Sequence, residues 1–230
     1  MYPTLPAPAR RPKQERLRVL FSGRSDRKGA DVALGAFAEL AEVLADDVEL
    51  VYVGDPPAAP VHDAVSVLPL KERASYLAEL DRAHVFVSPT EFESYGMALV
   101  EAAAHGLALV TTRGRGMEHV EELFAEGENV LYIDTVWTFE RRVRAVRDHV
   151  LRLARDRALL AAISERNRAL VGRGKLSVKQ RNASLLAAYE RCATASRSVS
   201  VAWPKILLDE RACSEALEQR VGNRHLALLI

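Results

Sequence analysis

Six short apolar runs recur before residue 134, separated by helical patterns, and that alternation leaves few folds open. They are Leu17 to Ser22 (LRVLFS), Val48 to Val53 (VELVYV), Ala64 to Leu68, His84 to Ser88 (HVFVS), Leu107 to Thr111 (LALVT) and Asn129 to Ile133 (NVLYI). Runs of this length, rich in β-branched residues and stopped by Gly or Pro, read as strands buried on both faces. Between them, Ala30 to Leu44 carries apolar residues at helical spacing and Lys71 to Arg82 forms an amphipathic pattern. A third helix opens after Gly96, with Met97, Val100 and Ala104 expected on one face, and GRGMEHVEELF supplies a loop and a short helix. Strands alternating with helices give an α/β domain, a Rossmann-like parallel sheet with helices on both faces. Such sheets bind ligands at the carboxyl ends of their strands, where Gly23, Gly54, Pro89 and Thr112 fall.

The flanks carry less information. Thr138 to about Cys192 is helical throughout, and Gly172-Arg173-Gly174 is expected to divide it into two long helices. Residues 1–16, with three prolines among the first eight and then a basic cluster, read as a linker or cut end. Residues 17–192 form the Rossmann-like domain, and 193–230 a helical extension in which no chemistry is legible. Lys and Arg number 32 against 31 Asp and Glu. A net charge of +1 supplies no global field to draw in nucleic acid. No window approaches the roughly 18 apolar residues of a membrane span. Cys192 and Cys213 have neither metal-ligand nor disulfide spacing, which points to a reducing, cytoplasmic setting, with the basic N-terminal arm allowing peripheral contact with a membrane.

Chemistry concentrates in PTEFESYGMALVEAAAHG, Pro89 to Gly106. A strand, a glycine turn and a helix start make an anion-binding corner, because the first amides of a helix point outward unpaired. Glu93 and Glu101 bracket this corner with seven residues between them. Acids there are electrostatically odd unless each serves a ligand or, for Glu93, the helix dipole. Glu101 is embedded in MALVEAAA, where a solvated face is hard to draw, and suits a ribose diol as the acid of dinucleotide folds does. In the first loop, Arg24 and Lys28 lie between Gly23 and Gly29, a natural clamp for a diphosphate, although the loop is neither a Walker A nor a G-x-G-x-x-G sequence. The six histidines show no ligand spacing, with His84 and His105 read as structural, and a metal-independent site without cofactor is expected.

In order and spacing, GRSDRKG, LVYVGD, HVFVSPTEFESYGMALVEAAAHGLALVTT, GRGMEHV and ENVLYID resemble the donor-binding, C-terminal half of GT-B retaining glycosyltransferases. More narrowly the chain is similar to the group-1 family that includes sucrose and glycogen synthases and many mannosyltransferases. The resemblance runs from Leu17 to Cys192 and includes LSVKQRNASLLAAYE as the terminal helix. It implies that Gly23, Arg24 and Lys28 meet the diphosphate of a nucleotide-sugar, that Glu93 contacts the transferred sugar, and that Glu101 holds the ribose. Ser94, Tyr95, Gly96, Met97 and Ala98 would meet sugar hydroxyls and the β-phosphate, and Leu68 to Leu70 would lie near the base. Glu93, Arg24 and Lys28 are the catalytic candidates.

Two departures stand out. Three residues separate Arg24 from Lys28, one fewer than the family spacing, and Ala108 replaces a usual proline. The family's acceptor-binding Rossmann domain is expected to lie outside this chain, in a separate domain or subunit, with the acceptor unknown. The alternatives are a non-catalytic nucleotide-binding or protein-interaction module, and a GT-B epimerase or phosphorylase.

Overall fold

A computed structural model of the chain describes residues 16–23, 28–55, 61–69 and 72–198. The chain divides into two units, Met1–Asn182 and Ala183–Ile230, and the sheet belongs to the first. The elements are β1 (Leu17–Ser22), α1 (Ala30–Leu44), β2 (Val48–Val53), β3 (Val65–Leu68), α2 (Arg73–Arg82), β4 (Val85–Ser88), α3 (Met97–Ala104), β5 (Ala108–Arg113), α4 (Glu118–Leu123), β6 (Val130–Asp134), α5 (Phe139–Arg155), α6 (Arg157–Gly172) and α7 (Val178–Ser198).

All six expected strands form, joined in one parallel sheet of order β3-β2-β1-β4-β5-β6. The order reverses between β1 and β4, so a crevice opens beyond their carboxyl ends; open α/β sheets bind ligands at such a switch point. Pleating sends alternate residues to opposite faces. Leu17, Val19 and Phe21 of β1 pack with Val85 and Val87 of β4 beneath α1, α5 and α6. Leu20, Val51, Phe86 and Leu109 face the other way, onto α2, α3 and α4. Both faces are therefore covered, which explains why the strand sequences are continuously apolar rather than alternating.

One apparent exception, Arg18 in β1, is 4% exposed. It sits opposite Glu49 in the β1–β2 register and bonds both Glu49 and Glu79 of α2. The buried guanidinium is thus compensated by two carboxylates, as burial of a charge requires. It also ties α2 to the sheet. His84 and His105 are structural on this side: His84 Nδ1 accepts from the Arg18 amide at 3.0 Å, and His105 Nδ1 lies 2.6 Å from Asp81 Oδ1.

Two helical expectations need correction. Thr138 to Cys192 holds three helices, not two, because the chain also breaks at Asp156. That residue leaves helical backbone (φ −106°, ψ 81°), and its carboxylate caps α6 by accepting from the Leu159 amide at 2.8 Å. In α3 the buried residues are Leu99, Val100, Ala102 and Ala103, not the Met97–Val100–Ala104 stripe. Met97, in the first turn, remains 38% exposed because, among the described residues, none packs over that end of the helix as the sheet and α6 pack over the rest. The break after Gly172 occurs as expected. Residues 1–15 and 199–230, hence most of the linker and most of the C-terminal extension, lie outside the described residues.

Candidate functional site

The site begins where β1 and β4 end. Gly29, the N-cap of α1, has φ +71°, and a Cβ there would stand 2.1 Å from the Pro89 carbonyl oxygen. The two loops therefore touch backbone to backbone, and only glycine meets both the left-handed conformation and the contact. This approach sets Lys28 beside the β4 loop, with its Nζ 2.6 Å from Glu93 Oε2.

The β4 loop is held from below by hydroxyls. Thr111 of β5 donates to the Ser88 carbonyl at 2.7 Å and Thr112 donates to the Thr90 carbonyl. The Thr90 hydroxyl closes the turn onto the Phe92 carbonyl at 2.7 Å, and Arg142 of α5 reaches Glu91 at 3.2 Å. These bonds fix the backbone that carries Glu93, whose side chain is 11% exposed. Burial would raise its carboxyl; the Lys28 hydrogen bond and charge, with the amides of Gly96 and Ser94, outweigh that and hold it below the usual carboxylate range. The Ser94 amide donates to Glu93 Oε1 at 3.1 Å.

Beyond it, Gly96 caps α3 with φ +86°, a conformation that β-carbon-bearing residues adopt at a cost. The Glu93 carboxylate accepts from the Gly96 amide, and Gly96 itself gives no side-chain cap to this helix. Its first-turn amides, Met97 and Ala98, consequently lie at the switch point with the positive end of the helix dipole. One turn further in, Glu101 Oε1 accepts from Arg73 Nη2 of α2 at 2.7 Å, and the carboxylate is 13% exposed. Tyr76, one turn along α2 from Arg73, bonds Ser22 at the end of β1; burial first, and then the Glu101 charge, push its phenol well above the usual tyrosine range.

The structure therefore brings Gly23, Lys28, Glu93, Ser94, Tyr95, Gly96, Met97, Ala98 and Glu101 to one corner. Arg24 and Leu70 lie outside the described residues. Leu68 ends β3, two strands out from β1, roughly 10 Å across the sheet at ordinary strand spacing. Arg73, Tyr76 and Arg142 are the additions that the sequence did not single out. Their partners are 28, 54 and 51 positions away for Arg73–Glu101, Tyr76–Ser22 and Arg142–Glu91. Only the spacing of Arg73 and Tyr76 on one helix face was available as a signal. Two carboxylates, one ammonium, one guanidinium and a helix N-terminus can hold a ligand with anionic charge at its centre and hydroxyl arrays on both sides.

Residues 16–156 match the family described as glycosyl transferases group 1. Over 155 residues the chain is 33% identical to a GDP-mannose-dependent alpha-mannosyltransferase of Corynebacterium glutamicum, covering 64% of this chain and 34% of the relative. Among solved structures it is similar to sucrose-phosphate synthase of Thermosynechococcus elongatus, with TM-score 0.61 and 20% identity over 78% of this chain and 46% of that one. It is likewise similar to the C-terminal domain of a group 1 family glycosyl transferase from Francisella tularensis, with TM-score 0.57 and 14% identity over 68% of this chain and 85% of that domain. The chain thus spans about a third of the curated relative and about half of the synthase.

Proposed function

Because the chain belongs to the group 1 glycosyl transferases, we propose that its Pro89–Gly106 corner binds the donor of a retaining, metal-independent sugar transfer. The donor is a nucleoside-diphosphate sugar. The carrying observation is the convergence of Lys28, Glu93 and the N-terminus of α3 at the β1–β4 switch point, with Glu101 one turn deeper.

The diphosphate lies at the α3 N-terminus, where amides and dipole favour negative charge. The Lys28 ammonium carries three donors and spends one on Glu93, so it can serve a phosphate oxygen without leaving the carboxylate. Glu93 is held ionised, acts as an acceptor only, and orients sugar hydroxyls. Glu101 takes the ribose diol. As the bond between the anomeric carbon and the diphosphate oxygen breaks, positive charge grows on the sugar and negative charge on the leaving group. Lys28 and the α3 amides are pre-set for the latter, Arg24 is assigned the same task from its place in the sequence, and pre-organised charge of this kind lowers the barrier. No group of three or more His, Cys, Asp or Glu among the described residues is arranged to hold a metal ion.

The acceptor and the surface that binds it belong to a further domain or subunit. No described helix is long and apolar enough to cross a membrane. The exposed free thiol of Cys192 suits the cytoplasm, where thiols stay reduced.

Calorimetry with UDP-, GDP- and ADP-sugars tests the reading. One of them binds, and Glu101→Ala weakens that binding by about 1–3 kcal/mol, the scale of a lost charged hydrogen bond. Failure of all three to bind a folded chain at millimolar concentration contradicts the proposal.

A further inference from the structure

Glu101 is reached from α2, an element that the donor reading does not otherwise use. Arg73 opens α2 and places Nη2 2.7 Å from Glu101 Oε1, although Arg73 itself is half exposed and Glu101 is nearly buried. Glu101 Oε2 accepts from no described residue. An exposed arginine that spends its side-chain freedom on one oxygen of a sunken carboxylate does so at an entropic cost. Its own helix is rigidly seated: Leu80 and Ala83 are buried, Glu79 bonds the buried Arg18, and Asp81 bonds the buried His105. Tyr76, in the next turn, is fastened to Ser22 at the tip of β1 and stands within the field of Glu101. The whole of α2 thus carries Arg73 to a fixed point over the carboxylate.

We infer that Arg73 is a positioning residue for Glu101, and that it makes the site selective for an intact ribose. The inference rests on the donor reading above and adds a residue and a specificity to it. An ionised carboxylate has about four acceptor positions. Arg73 occupies one and fixes the rotation of the carboxylate plane. The remaining positions on Oε1 and Oε2 face two neighbouring hydroxyls, the 2′ and 3′ groups of a ribonucleotide. Without Arg73 the side chain of Glu101 is free to rotate, and the near-by phenol of Tyr76 offers an alternative partner. The contact matters only to a ligand carrying both hydroxyls. A nucleotide lacking them meets the phosphate-binding groups of the site unchanged.

The test compares affinities measured by calorimetry for UDP, GDP and ADP, and for the 2′,3′-dideoxy counterpart of whichever binds. The wild type prefers the ribonucleotide. In Arg73→Ala its affinity falls about tenfold, the scale of one weakened charge-assisted hydrogen bond, while the dideoxy affinity stays the same. Arg73→Lys restores part of the preference, and Arg73→Gln, which keeps a hydrogen-bond donor on a shorter, uncharged side chain, restores little. Far-ultraviolet circular dichroism and the urea midpoint confirm that each variant is folded, as expected for a half-exposed site. An unchanged ribose preference in Arg73→Ala, or an equal loss for both nucleotides, overturns the positioning role. If the wild type binds none of the three diphosphates, the donor reading itself falls, and this inference with it.

Discussion

The contact between Gly29 and Pro89 joins the two loops that make the site, and Gly29→Ala probes it directly. Alanine at φ +71° meets the left-handed backbone penalty, about 1 kcal/mol. Its Cβ would also fall 2.1 Å from the Pro89 oxygen, where ordinary contact begins at 3.4 Å. The loops must part by the difference, 3.4 − 2.1 = 1.3 Å, against a β4 loop pinned by Thr111, Thr112 and Arg142. Forcing an extra carbon into a packed contact costs about 1–3 kcal/mol, so the total is about 2–4 kcal/mol. Gly127→Ala is the matched control: its φ is +73°, yet nothing lies within 4 Å of the added carbon. It should cost about 1 kcal/mol, the backbone penalty alone. Urea unfolding of both variants, compared at equal slope, isolates the contact as the difference between them. Nucleotide affinity should fall in Gly29→Ala only, because separation of the loops carries Lys28 away from Glu93. Equal destabilisation of the two variants, within about 0.5 kcal/mol, the ordinary spread of surface changes, refutes the claim that the loops are locked together.

Two further outcomes follow from the charged and polar groups. The Glu93 carboxyl is held below its usual range, so its contribution to stability is fully present above the unfolded value of about 4.3. It is lost as pH falls through the lower folded value. The urea-midpoint gap between wild type and Glu93→Gln should therefore be constant from pH 7 to about 5 and narrow below about 4.3; a gap that does not change with acid refutes the ion pair's role. Asn167 is fully buried and joins α6 to the sheet through Leu107 O at 2.7 Å, Asn129 O at 2.9 Å and Asn129 Nδ2 at 2.9 Å. Asn167→Ala should destabilise by about 3 kcal/mol, as buried partners are left unsatisfied, with the loss read from urea unfolding and a change under 1 kcal/mol counting against it.

The sheet was legible because buried parallel strands have to be apolar on both faces. LRVLFS and VELVYV, each stopped by glycine, predict β1 and β2 to the residue, and ADVALGAFAELAEVL predicts α1 likewise. The paired glutamates and their glycine turn were legible for the same kind of reason: the chemistry of that corner is local in sequence. The break at Asp156 was also written locally, as an aspartate three residues before Leu159, but continuous helical periodicity on both sides masked it. The buried face of α3 was misread because Met97 has suitable spacing but lies at the end of the helix over which no described residue packs. Arg73, Tyr76 and Arg142 were not legible as site residues. Their meaning depends on which strands and helices become neighbours, and periodicity along one helix does not carry that information. The reversal of strand order between β1 and β4 is what brings Lys28 to Glu93, across 65 positions of sequence.

A backbone-amide NMR titration of the folded chain with a nucleoside diphosphate reads the donor corner most directly. Binding at the α3 N-terminus predicts that the largest shifts fall on Ser94, Gly96, Met97 and Ala98, with Lys28 and Glu101 moving at the same ligand concentration. Shifts confined to residues away from the carboxyl ends of β1 and β4, with these amides unmoved at saturation, would contradict it.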